Sequence, residues 1–333
     1  MAKKRILTGD RPTGKLHLGH YLGTLKNRVK LQDEYETFIL IADYHALTTK
    51  PSKEDISSFN ANIHEMLLDY LSVGLDPQKV TFYRQSAVPE VTELFLIFQM
   101  LVSVPRAQRI PTLKDVMKDL GINQPSMGLL SYPILQAADI LIVKGELVPV
   151  GKDQESHIEL AREIAKSFNQ AYGQVFPEPK ALIGEDTVLI GTDGKAKMSK
   201  SLGNAIYLSD PANIVEEKVM SMYTDPKRIH STDEGQVEGN PVFIYLDEFG
   251  GEKDKEKIAQ FKDKYKNGKV GDMEVKKFLA GVLNEFLNPI REKRERYLKD
   301  EGIVERILKE GNDKTKDEAG KTIDEVRRAM GLV

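Results

Sequence analysis

The sequence predicts an α/β fold in which a parallel sheet carries a helical insertion and is followed by an all-α C-terminal part. Two observations lead to this prediction. Over roughly the first half of the chain, short apolar runs that suggest buried strands alternate with longer helical patterns, an order typical of a parallel sheet. From about residue 212 onward the patterns are helical, apart from a run at 242–246 that could form one more strand.

The predicted elements follow in order along the chain. Strand-like runs occur at 4–8, 37–42, 80–84 and 147–150. Helical patterns occur at 18–32, 54–73 and 157–172. Between residues 88 and 141 the pattern changes to apolar helices, which suggests an insertion between two halves of the fold. The prolines that punctuate this stretch are Pro105, Pro111, Pro125 and Pro133.

Composition limits the classes of protein to which the chain can belong. Its 333 residues are enough for a catalytic domain and an accessory domain. It has no cysteine, which excludes disulfides and thiolate metal sites, and its formal net charge of −3 is not that of a basic protein. No apolar signal region follows the N-terminal Met-Ala-Lys-Lys-Arg, and no apolar run is long enough to span a membrane, so we expect a cytoplasmic protein without membrane contact.

The first candidate site is the segment from Gly9 to His20, with the sequence GDRPTGKLHLGH. It lies between a predicted strand and a predicted helix. Such a turn can bind an anion, because free backbone N–H groups and the helix dipole point toward the ligand. Glycines at 9, 14 and 19 let the backbone approach a nucleotide closely. His17 and His20 are three residues apart at the helix start, so both imidazoles can reach the same phosphate.

Three other interpretations of this segment are possible. It nearly matches the pattern GxxxxGK[ST], but Leu16 replaces the hydroxyl residue that would hold magnesium, which argues against a P-loop NTPase. The histidine pair could bind a metal at helical spacing, but no third ligand lies close in the sequence, so we predict no metal site. The third interpretation is an ordinary strand–turn–helix, which a short glycine motif alone does not exclude.

A second segment changes the balance between these interpretations. Residues 191–204 are rich in glycine and lysine and have almost no apolar pattern, which indicates a mobile surface loop. The loop contains the string Lys197-Met198-Ser199-Lys200-Ser201. Surface lysines are usually just solvated. On a mobile loop, however, they can close over a triphosphate and stabilise charge that develops on pyrophosphate.

The two segments, in this order, resemble the HIGH and KMSKS signatures of class I aminoacyl-tRNA synthetases. Nearly the whole chain resembles the bacterial tryptophanyl-tRNA synthetases of that class. The segments that carry the resemblance are 9–21, 41–47 (IADYHAL), 132–142 (YPILQAADILI), 148–168 (VPVGKDQESHIELAREIAKSF), the KMSKS loop and 325–332 (EVRRAMGL).

The resemblance implies a Rossmann-like catalytic domain over residues 1–211 and a helical anticodon-binding domain over 212–333. It implies that L-tryptophan is activated with ATP to tryptophanyl-adenylate and transferred to the 3′-terminal adenosine of tRNA(Trp), that Mg²⁺ accompanies ATP, and that the protein is a homodimer. The catalytic residues would be His17, His20, Lys197 and Lys200. The residues around ATP would be Arg11, Pro12, Thr13, Gly19, His20, Gly151, Lys152, Asp153, Val188, Lys197, Met198, Ser199, Lys200 and Ser201.

The same resemblance makes Asp139 the acceptor for the indole N–H of tryptophan. Asp139 lies in an otherwise apolar stretch, 134–143, where a buried carboxylate without a partner would be costly. An indole needs an apolar slot with one hydrogen-bond acceptor, which Asp139 can supply, although pairing with an arginine or capping a backbone turn is a common alternative. Tyr132, His45 and Gln136 would line the same pocket, and Gln154 would meet the α-amino or carboxylate group.

Two positions depart from the family pattern. Lys152 stands where an acidic residue is usual, so we expect only its backbone to contribute. Gln136 stands where many bacterial members have Met, and a glutamine there is similar to some tyrosyl enzymes, so tyrosyl-tRNA synthetase is the alternative. A catalytically idle paralogue that binds tRNA or indole is a further alternative, against which the intact histidine pair and the two lysines of the loop argue.

Overall fold

The computed structural model describes residues 3–151, 154–184, 188–225, 228, 230 and 232–333. The chain forms two compact units. The first, here called the sheet unit, contains Met1–Gly14, Lys26–Asp186 and Asp300–Val333. The second, here called the helical unit, contains Lys15–Leu25 and Thr187–Lys299. The functional division of the chain after residue 211 stays a prediction.

The sheet unit is built on a sheet of parallel strands. In the described part of the chain these are β1 (Arg5–Asp10), β2 (Glu36–Ile41), β3 (Val80–Arg84), β4 (Leu147–Val150) and β5 (Lys180–Ile183). Their order across the sheet is β3-β2-β1-β4-β5. The order of the strands reverses between β1 and β4, and open α/β sheets bind ligands beyond the carboxyl ends of the strands at such a point. The α/β fold and the four predicted strands are confirmed.

Helices make up most of the rest of the chain. In chain order they are α1 (Leu18–His20), α2 (Lys26–Leu31), α3 (Asp43–Leu47), α4 (Lys53–Ser57), α5 (Phe59–Val73), α6 (Glu90–Gln99), α7 (Val104–Gln108), α8 (Pro111–Asp119), α9 (Met127–Ile142), α10 (Glu155–Tyr172), α11 (Ala212–Met220), α12 (Pro241–Phe249), α13 (Lys255–Lys266), α14 (Asp272–Leu298) and α15 (Ile303–Met330). A π-helical turn, Tyr21–Leu25, joins α1 to α2, and a short 3₁₀-helix, Gln85–Ala87, follows β3. The helices expected at 18–32, 54–73 and 157–172 are present, the first two in separate pieces.

The possible strand at 242–246 is wrong, because this run belongs to α12. The side chain of Asn240 accepts a hydrogen bond from the backbone N–H of Val242 at 3.0 Å, and Pro241 occupies the first turn, so both residues favour a helix start. A run of apolar residues such as VFIYL fits a buried helix as well as a buried strand. Pro133 also departs from its predicted place, since it lies inside α9 instead of ending a helix.

Helix α9 is the central helix of the sheet unit. It packs against α6 and α10, and nearly all of its residues are buried. Ser126 begins the helix, and its hydroxyl accepts a hydrogen bond from the N–H of Leu129 at 3.2 Å. Burial on all sides explains how α9 tolerates an internal proline, because packing rather than backbone hydrogen bonding holds such a helix. Asp139 on this helix therefore places a carboxyl group inside the apolar core.

The helical unit contains α1 and α11 to α14. Helices α11 and α12 pack against α14, and the guanidinium of Arg228 lies 4.1 Å from the ring centre of Tyr265. Across the part of the chain that is described, the structure contains no helix with the length and apolar character needed to cross a membrane.

Candidate active site

The turn after β1 is fixed by buried neighbours. A Cβ atom on Gly9 would lie 2.3 Å from the carbonyl oxygen of Leu40, so only glycine fits beside β2 at this position. Asp10 accepts hydrogen bonds of 2.5 Å from both the guanidinium of Arg28 and the hydroxyl of Tyr70. Burial alone would lower the pKa of Arg28, but Asp10 and Tyr70 outweigh it and raise that pKa. Contacts with Leu40, Arg28 and Tyr70 thus hold the first two residues of the motif in place.

The next residues form a tight turn within the sheet unit. The N–H of Thr13 donates to the carbonyl of Arg11 at 2.8 Å, and Gly14 has a φ of 82°, which favours glycine. Burial lowers the pKa of Arg11, and Tyr132 acts on that pKa in the opposite direction, so the two side chains lie near each other. Pro12 is buried and Thr13 is exposed.

Within the helical unit, His17 and His20 lie together at the start of α1. Their ring centres are 3.8 Å apart, and the backbone N–H of His17 donates to Nδ1 of His20 at 3.2 Å. This bond makes Nδ1 of His20 an acceptor and so leaves the ring proton on Nε2. Burial, with His20, Lys200 and Lys197 nearby, lowers the pKa of His17 to about 3. His17 is therefore uncharged at neutral pH.

The loop that contains KMSKS contacts α1. Met198 is 2% exposed, and its sulfur lies 3.4 Å from the backbone nitrogen of Gly19, which donates to it. A Cβ atom on Gly19 would lie 3.1 Å from two atoms of the His17 ring. Met198 and the glycine thus connect the KMSKS loop to the part of the first signature segment that lies in the helical unit, residues 15–20.

The loop itself is held by Asn204, which sequence reasoning missed. Its side-chain oxygen accepts from the N–H of Ser199 at 2.8 Å, and its side-chain nitrogen donates to Asp193 at 3.1 Å and to the carbonyl of Lys197 at 3.4 Å. A Cβ atom on Gly191 would lie 2.1 Å from that nitrogen. Lys197 is exposed and Lys200 half-buried, while the hydroxyls of Ser199 and Ser201 are 3.0 Å apart.

The segment after β4 is described only in part. The N–H of Gln154 donates to the carbonyl of Gly151 at 3.0 Å, immediately before α10. Both residues are half-buried, and Val188 is exposed. Lys152 and Asp153 lie outside the described residues.

Asp139 lies in a polar network inside the apolar core of the sheet unit. It is 2% exposed, and its Oδ2 atom lies 2.8 Å from Nε2 of His45. Nε2 of Gln85 donates to both carboxylate oxygens, each at 2.9 Å. Burial raises the pKa of Asp139, and the hydrogen bonds from His45 and Gln85 oppose this rise. The partners of the Asp139 carboxylate are thus a histidine and a glutamine, and not the arginine that was the alternative from the sequence.

Tyr132 lies on the same helix as Asp139, and its hydroxyl contacts two polar side chains of neighbouring helices. Its OH group donates to Oγ1 of Thr112 at 3.1 Å and lies 3.2 Å from Nε2 of His157. Its ring meets the His45 ring edge-on with centres 6.4 Å apart. The structure therefore brings together Asp139, His45 and Tyr132, the residues predicted to line one pocket, and Gln136 on the same helix is half-buried.

The sequence profile of the tRNA synthetases class I (W and Y) matches residues 2–288 of this chain. The chain belongs to this family. The tryptophan–tRNA ligase of Treponema pallidum (strain Nichols) is 53% identical over 328 residues, which cover 98% of the chain and 97% of the relative. The tryptophanyl-tRNA synthetase of Campylobacter jejuni, whose crystal structure is a complex with ADP and tryptophan, is 34% identical with a TM-score of 0.85 over 98% of the chain and 99% of its own.

A tyrosyl member of the family is more distant from this synthetase. The tyrosyl-tRNA synthetase of Archaeoglobus fulgidus, solved with L-tyrosine, is 25% identical with a TM-score of 0.64, and the match covers 88% of this chain and 90% of that one. The tryptophanyl relatives from Treponema pallidum and Campylobacter jejuni are more identical to this chain and are covered more fully, and the Campylobacter jejuni structure has the higher TM-score. The comparison therefore favours the tryptophanyl branch over the tyrosyl alternative.

A second polar network, centred on Asp43, connects the start of α3 to the segment after β3. Asp43, 3% exposed, accepts from Nε of Arg84 at 2.5 Å and from the hydroxyl of Ser86 at 2.6 Å. These residues and Gln85 come from segments about 40 residues apart, the IADYHAL stretch and the end of β3. One sequence signal could have identified these residues: both segments directly follow predicted strands, and α/β folds place functional side chains at the ends of strands.

Proposed function

We propose that this synthetase activates L-tryptophan with ATP to tryptophanyl-adenylate and transfers the amino acid to the 3′-terminal adenosine of tRNA(Trp). One observation carries the choice of amino acid: the buried carboxylate of Asp139 is a hydrogen-bond acceptor inside an apolar helix. That combination complements an indole ring, which is apolar apart from one N–H donor. The full-length likeness to tryptophan–tRNA ligases, including 53% identity to that of Treponema pallidum, supports the same choice.

The tryptophan pocket in this proposal is formed by residues of α3 and α9 and by Gln154, the residue before α10. Asp139 accepts the indole N–H, and the rings of Tyr132 and His45 line the slot. Gln136 lies on the same helix, one turn before the acceptor. Gln154, beside α10, meets the α-amino or carboxylate group of the substrate.

ATP is proposed to bind through both signature segments and the segment after β4. The residues are Arg11, Pro12, Thr13, Gly19, His20, Gly151, Lys152, Asp153, Val188, Lys197, Met198, Ser199, Lys200 and Ser201. The tight turn at Arg11 and the fixed position of Gly19 support this assignment, because both present backbone that a nucleotide can approach.

Activation needs no general base. The ionised tryptophan carboxylate attacks the α-phosphorus in line, a carboxylate–phosphorus bond forms, and the bond to the bridging oxygen breaks to release pyrophosphate. Catalysis then depends on positioning and on stabilising the charge of the leaving group. We assign that stabilisation to His17, His20, Lys197 and Lys200.

The histidines and the lysines of this group act differently. Because the pKa of His17 is lowered to about 3, its ring is neutral. It can donate a hydrogen bond to a phosphate oxygen but supplies no positive charge. The ammonium groups of Lys197 and Lys200 supply the positive charge. These nitrogen groups suit phosphate oxygens and not Mg²⁺, so we propose that Mg²⁺ accompanies ATP and is held mainly by phosphates and water.

The remaining parts of the proposal concern tRNA and assembly. The C-terminal helices, residues 212–333, are proposed to read the anticodon, and the catalytic part to span 1–211. Because translation and its tRNA are cytoplasmic, we propose the same location for this synthetase.

A homodimer is supported by an exposed apolar stretch. Several large apolar side chains between residues 96 and 127 are more than half exposed, and we propose that a second copy of the chain covers them. They are Leu96, Met100, Val104, Leu120 and Met127. Leu96 lies in the last turn of α6, and Met100 is the residue directly after this helix, so the two side chains are four residues apart and lie on the same side.

Replacing the proposed acceptor tests the choice of substrate. In ATP–pyrophosphate exchange, Asp139→Ala should raise the KM for tryptophan at least about tenfold, since a substrate N–H loses a charged acceptor. The KM for ATP should change little. The variant also leaves Gln85 and His45 without their partner, so its melting temperature must confirm that it is folded at the assay temperature. Normal tryptophan-dependent exchange by a folded Asp139→Ala protein would contradict the pocket assignment.

A further inference from the structure

Gln85 holds the Asp139 carboxylate by both of its oxygens. The glutamine is 1% exposed and lies in the 3₁₀-helix after β3, while Asp139 lies on α9. Its Nε2 atom is 2.9 Å from Oδ1 and 2.9 Å from Oδ2. A donor shared between both oxygens fixes the direction of the carboxylate, and the bond from His45 to Oδ2 alone restricts its rotation about the Cβ–Cγ bond.

The other end of the Gln85 side chain is fixed as well. Its Oε1 atom accepts from the backbone N–H of Tyr44 at 3.0 Å and of His45 at 3.3 Å, both in the first turn of α3. Backbone N–H groups there have no partner within their own helix. A flipped amide would place its oxygen against the carboxylate and its NH₂ against two donors, so these partners allow only one orientation of the side chain.

These bonds leave Asp139 with a defined remaining capacity. A carboxylate has about four lone-pair sites. Gln85 uses one on each oxygen, and His45 uses a further one on Oδ2. The remaining site is on Oδ1 and can accept one more donor, which is what an indole N–H supplies.

We propose that Gln85 is a positioning residue for tryptophan, which acts by holding Asp139 in the orientation that accepts the indole N–H. This inference rests on the proposed function, in which Asp139 is the indole acceptor. Gln85 itself need not touch the substrate. It links the start of α3 to the last turn of α9, so the acceptor and the His45 ring keep a fixed relation to each other.

The electrostatics give this role a pH signature. The groups around Asp139 are His45 and Asp43 on α3, Tyr83 on β3 and Gln85 itself. Burial raises the pKa of Asp139, the hydrogen bonds of His45 and Gln85 lower it, and Asp43 raises it. Loss of the Gln85 bond therefore raises that pKa further, and the carboxylate is lost at a higher pH as the solution is acidified.

Two substitutions separate positioning from simple stability. Gln85→Met keeps the length of the side chain but removes both ends of the amide. It should raise the KM for tryptophan about tenfold, with kcat and the KM for ATP changed less than twofold. The acid limb of its kcat/KM profile for tryptophan should move to higher pH. Gln85→Glu should behave differently, because a protonated glutamic acid can donate to Asp139 whereas an ionised one repels it. Its kcat/KM should fall as the pH rises.

Gln32 provides the matched control in the same unit. It is also buried, at 5% exposure, and its amide donates to the carbonyls of Val29 and Gly74 at 3.0 and 3.1 Å and accepts from the N–H of Asp76 at 2.9 Å. Gln32→Met should lower the melting temperature, as any loss of a buried amide does, and should leave the KM and the pH profile for tryptophan unchanged.

The experiment is ATP–pyrophosphate exchange by the full chain between pH 5 and 9. A tryptophan KM and pH profile of Gln85→Met equal to those of the wild type, with Asp139→Ala impaired, would overturn the role of Gln85 and leave the proposed function intact. If Gln85→Met does not fold, the opposite pH dependence of Gln85→Glu decides, and a flat profile would refute the proposal. Exchange by Asp139→Ala at the wild-type rate would instead remove the function on which the inference rests.

Discussion

At the scale of single residues, the candidate site depends on close contacts that leave no room for change. Gly19 is one of these positions, because the His17 ring and Met198 both pack against it. Its N–H reaches the Met198 sulfur, so one residue touches both signature segments. A small displacement here moves groups proposed to bind the triphosphate.

Gly19→Ala should lower the rate of adenylate formation about tenfold, because displacements of a fraction of an ångström are costly at a reacting centre. The added Cβ atom lies 3.1 Å from the His17 ring, which must move. Single-turnover formation of the adenylate measures the effect.

Gly23→Ala is the control for this substitution. Gly23 lies in the π-helical turn that follows α1, and a Cβ atom there meets nothing within 4 Å. Its rate should equal that of the wild type. If both alanine variants are equally fast, the contact between the two signature segments has no role in activation.

The sequence predicted the residues of the candidate site but not the groups that hold them. His17, His20, Met198, Asp139, His45 and Tyr132 follow from local motifs, and the structure brings them together in two sets. Gln85, Arg28 and Asn204 carry no motif of their own. Gln85 reaches Asp139 across 54 positions of sequence, and no periodicity in one chain encodes such a pairing.

At the scale of elements, α15 covers the edge of the sheet. Strand β3 is an edge strand, and α15 packs against it. The side chain of Asn312 accepts from the N–H of Arg84 at 2.8 Å, and Lys314 donates to the hydroxyl of Thr81 at 3.0 Å. An uncovered edge would expose unpaired backbone groups to other chains. Helix α15 thus covers the edge strand and supplies hydrogen-bond partners to polar groups of β3.

Gly311→Ala tests this packing. A Cβ atom at this position would lie 1.8 Å from the carbonyl oxygen of Phe82, which is rigid backbone of β3. The helix must shift away from the strand, so the free energy of unfolding should fall by about 2 kcal/mol or more. Urea unfolding followed by circular dichroism measures it.

Gly320→Ala on the same helix is the matched control. A Cβ atom there meets nothing within 4 Å, and alanine is a better helix former, so this variant should be up to about 1 kcal/mol more stable. Equal stability of the two variants would mean that α15 does not pack tightly on β3.

Elements were predicted best where two signals agreed. Strands β1 to β4 are apolar runs bounded by polar turns, and their positions were correct to within two residues. Strand β5 was missed because its apolar run is only three residues long, Ala181-Leu182-Ile183, and its side chains are exposed or half-buried. Helix α12 suggested a strand because all five residues at 242–246 are apolar, so that only the Asn240–Pro241 start distinguishes a helix.

At the scale of the whole molecule, the first signature segment is divided between the two compact units. Residues 9–14 belong to the sheet unit, and 15–20 belong to the helical unit together with the KMSKS loop. The sequence showed both segments but not this division, because compactness depends on contacts between distant parts of the chain. The pocket residues Asp139, His45 and Tyr132 all belong to the sheet unit.

The central claim is that this synthetase activates tryptophan. ATP–pyrophosphate exchange by the full chain with Mg²⁺ and each of the twenty amino acids tests it most directly. Tryptophan should support exchange, and tyrosine should do so at least about 10²-fold less efficiently in kcat/KM, because the proposed pocket offers one fixed hydrogen-bond acceptor, Asp139, among apolar side chains, which complements an indole N–H. The account would be contradicted if tyrosine supported efficient exchange, or if none of the twenty amino acids supported exchange.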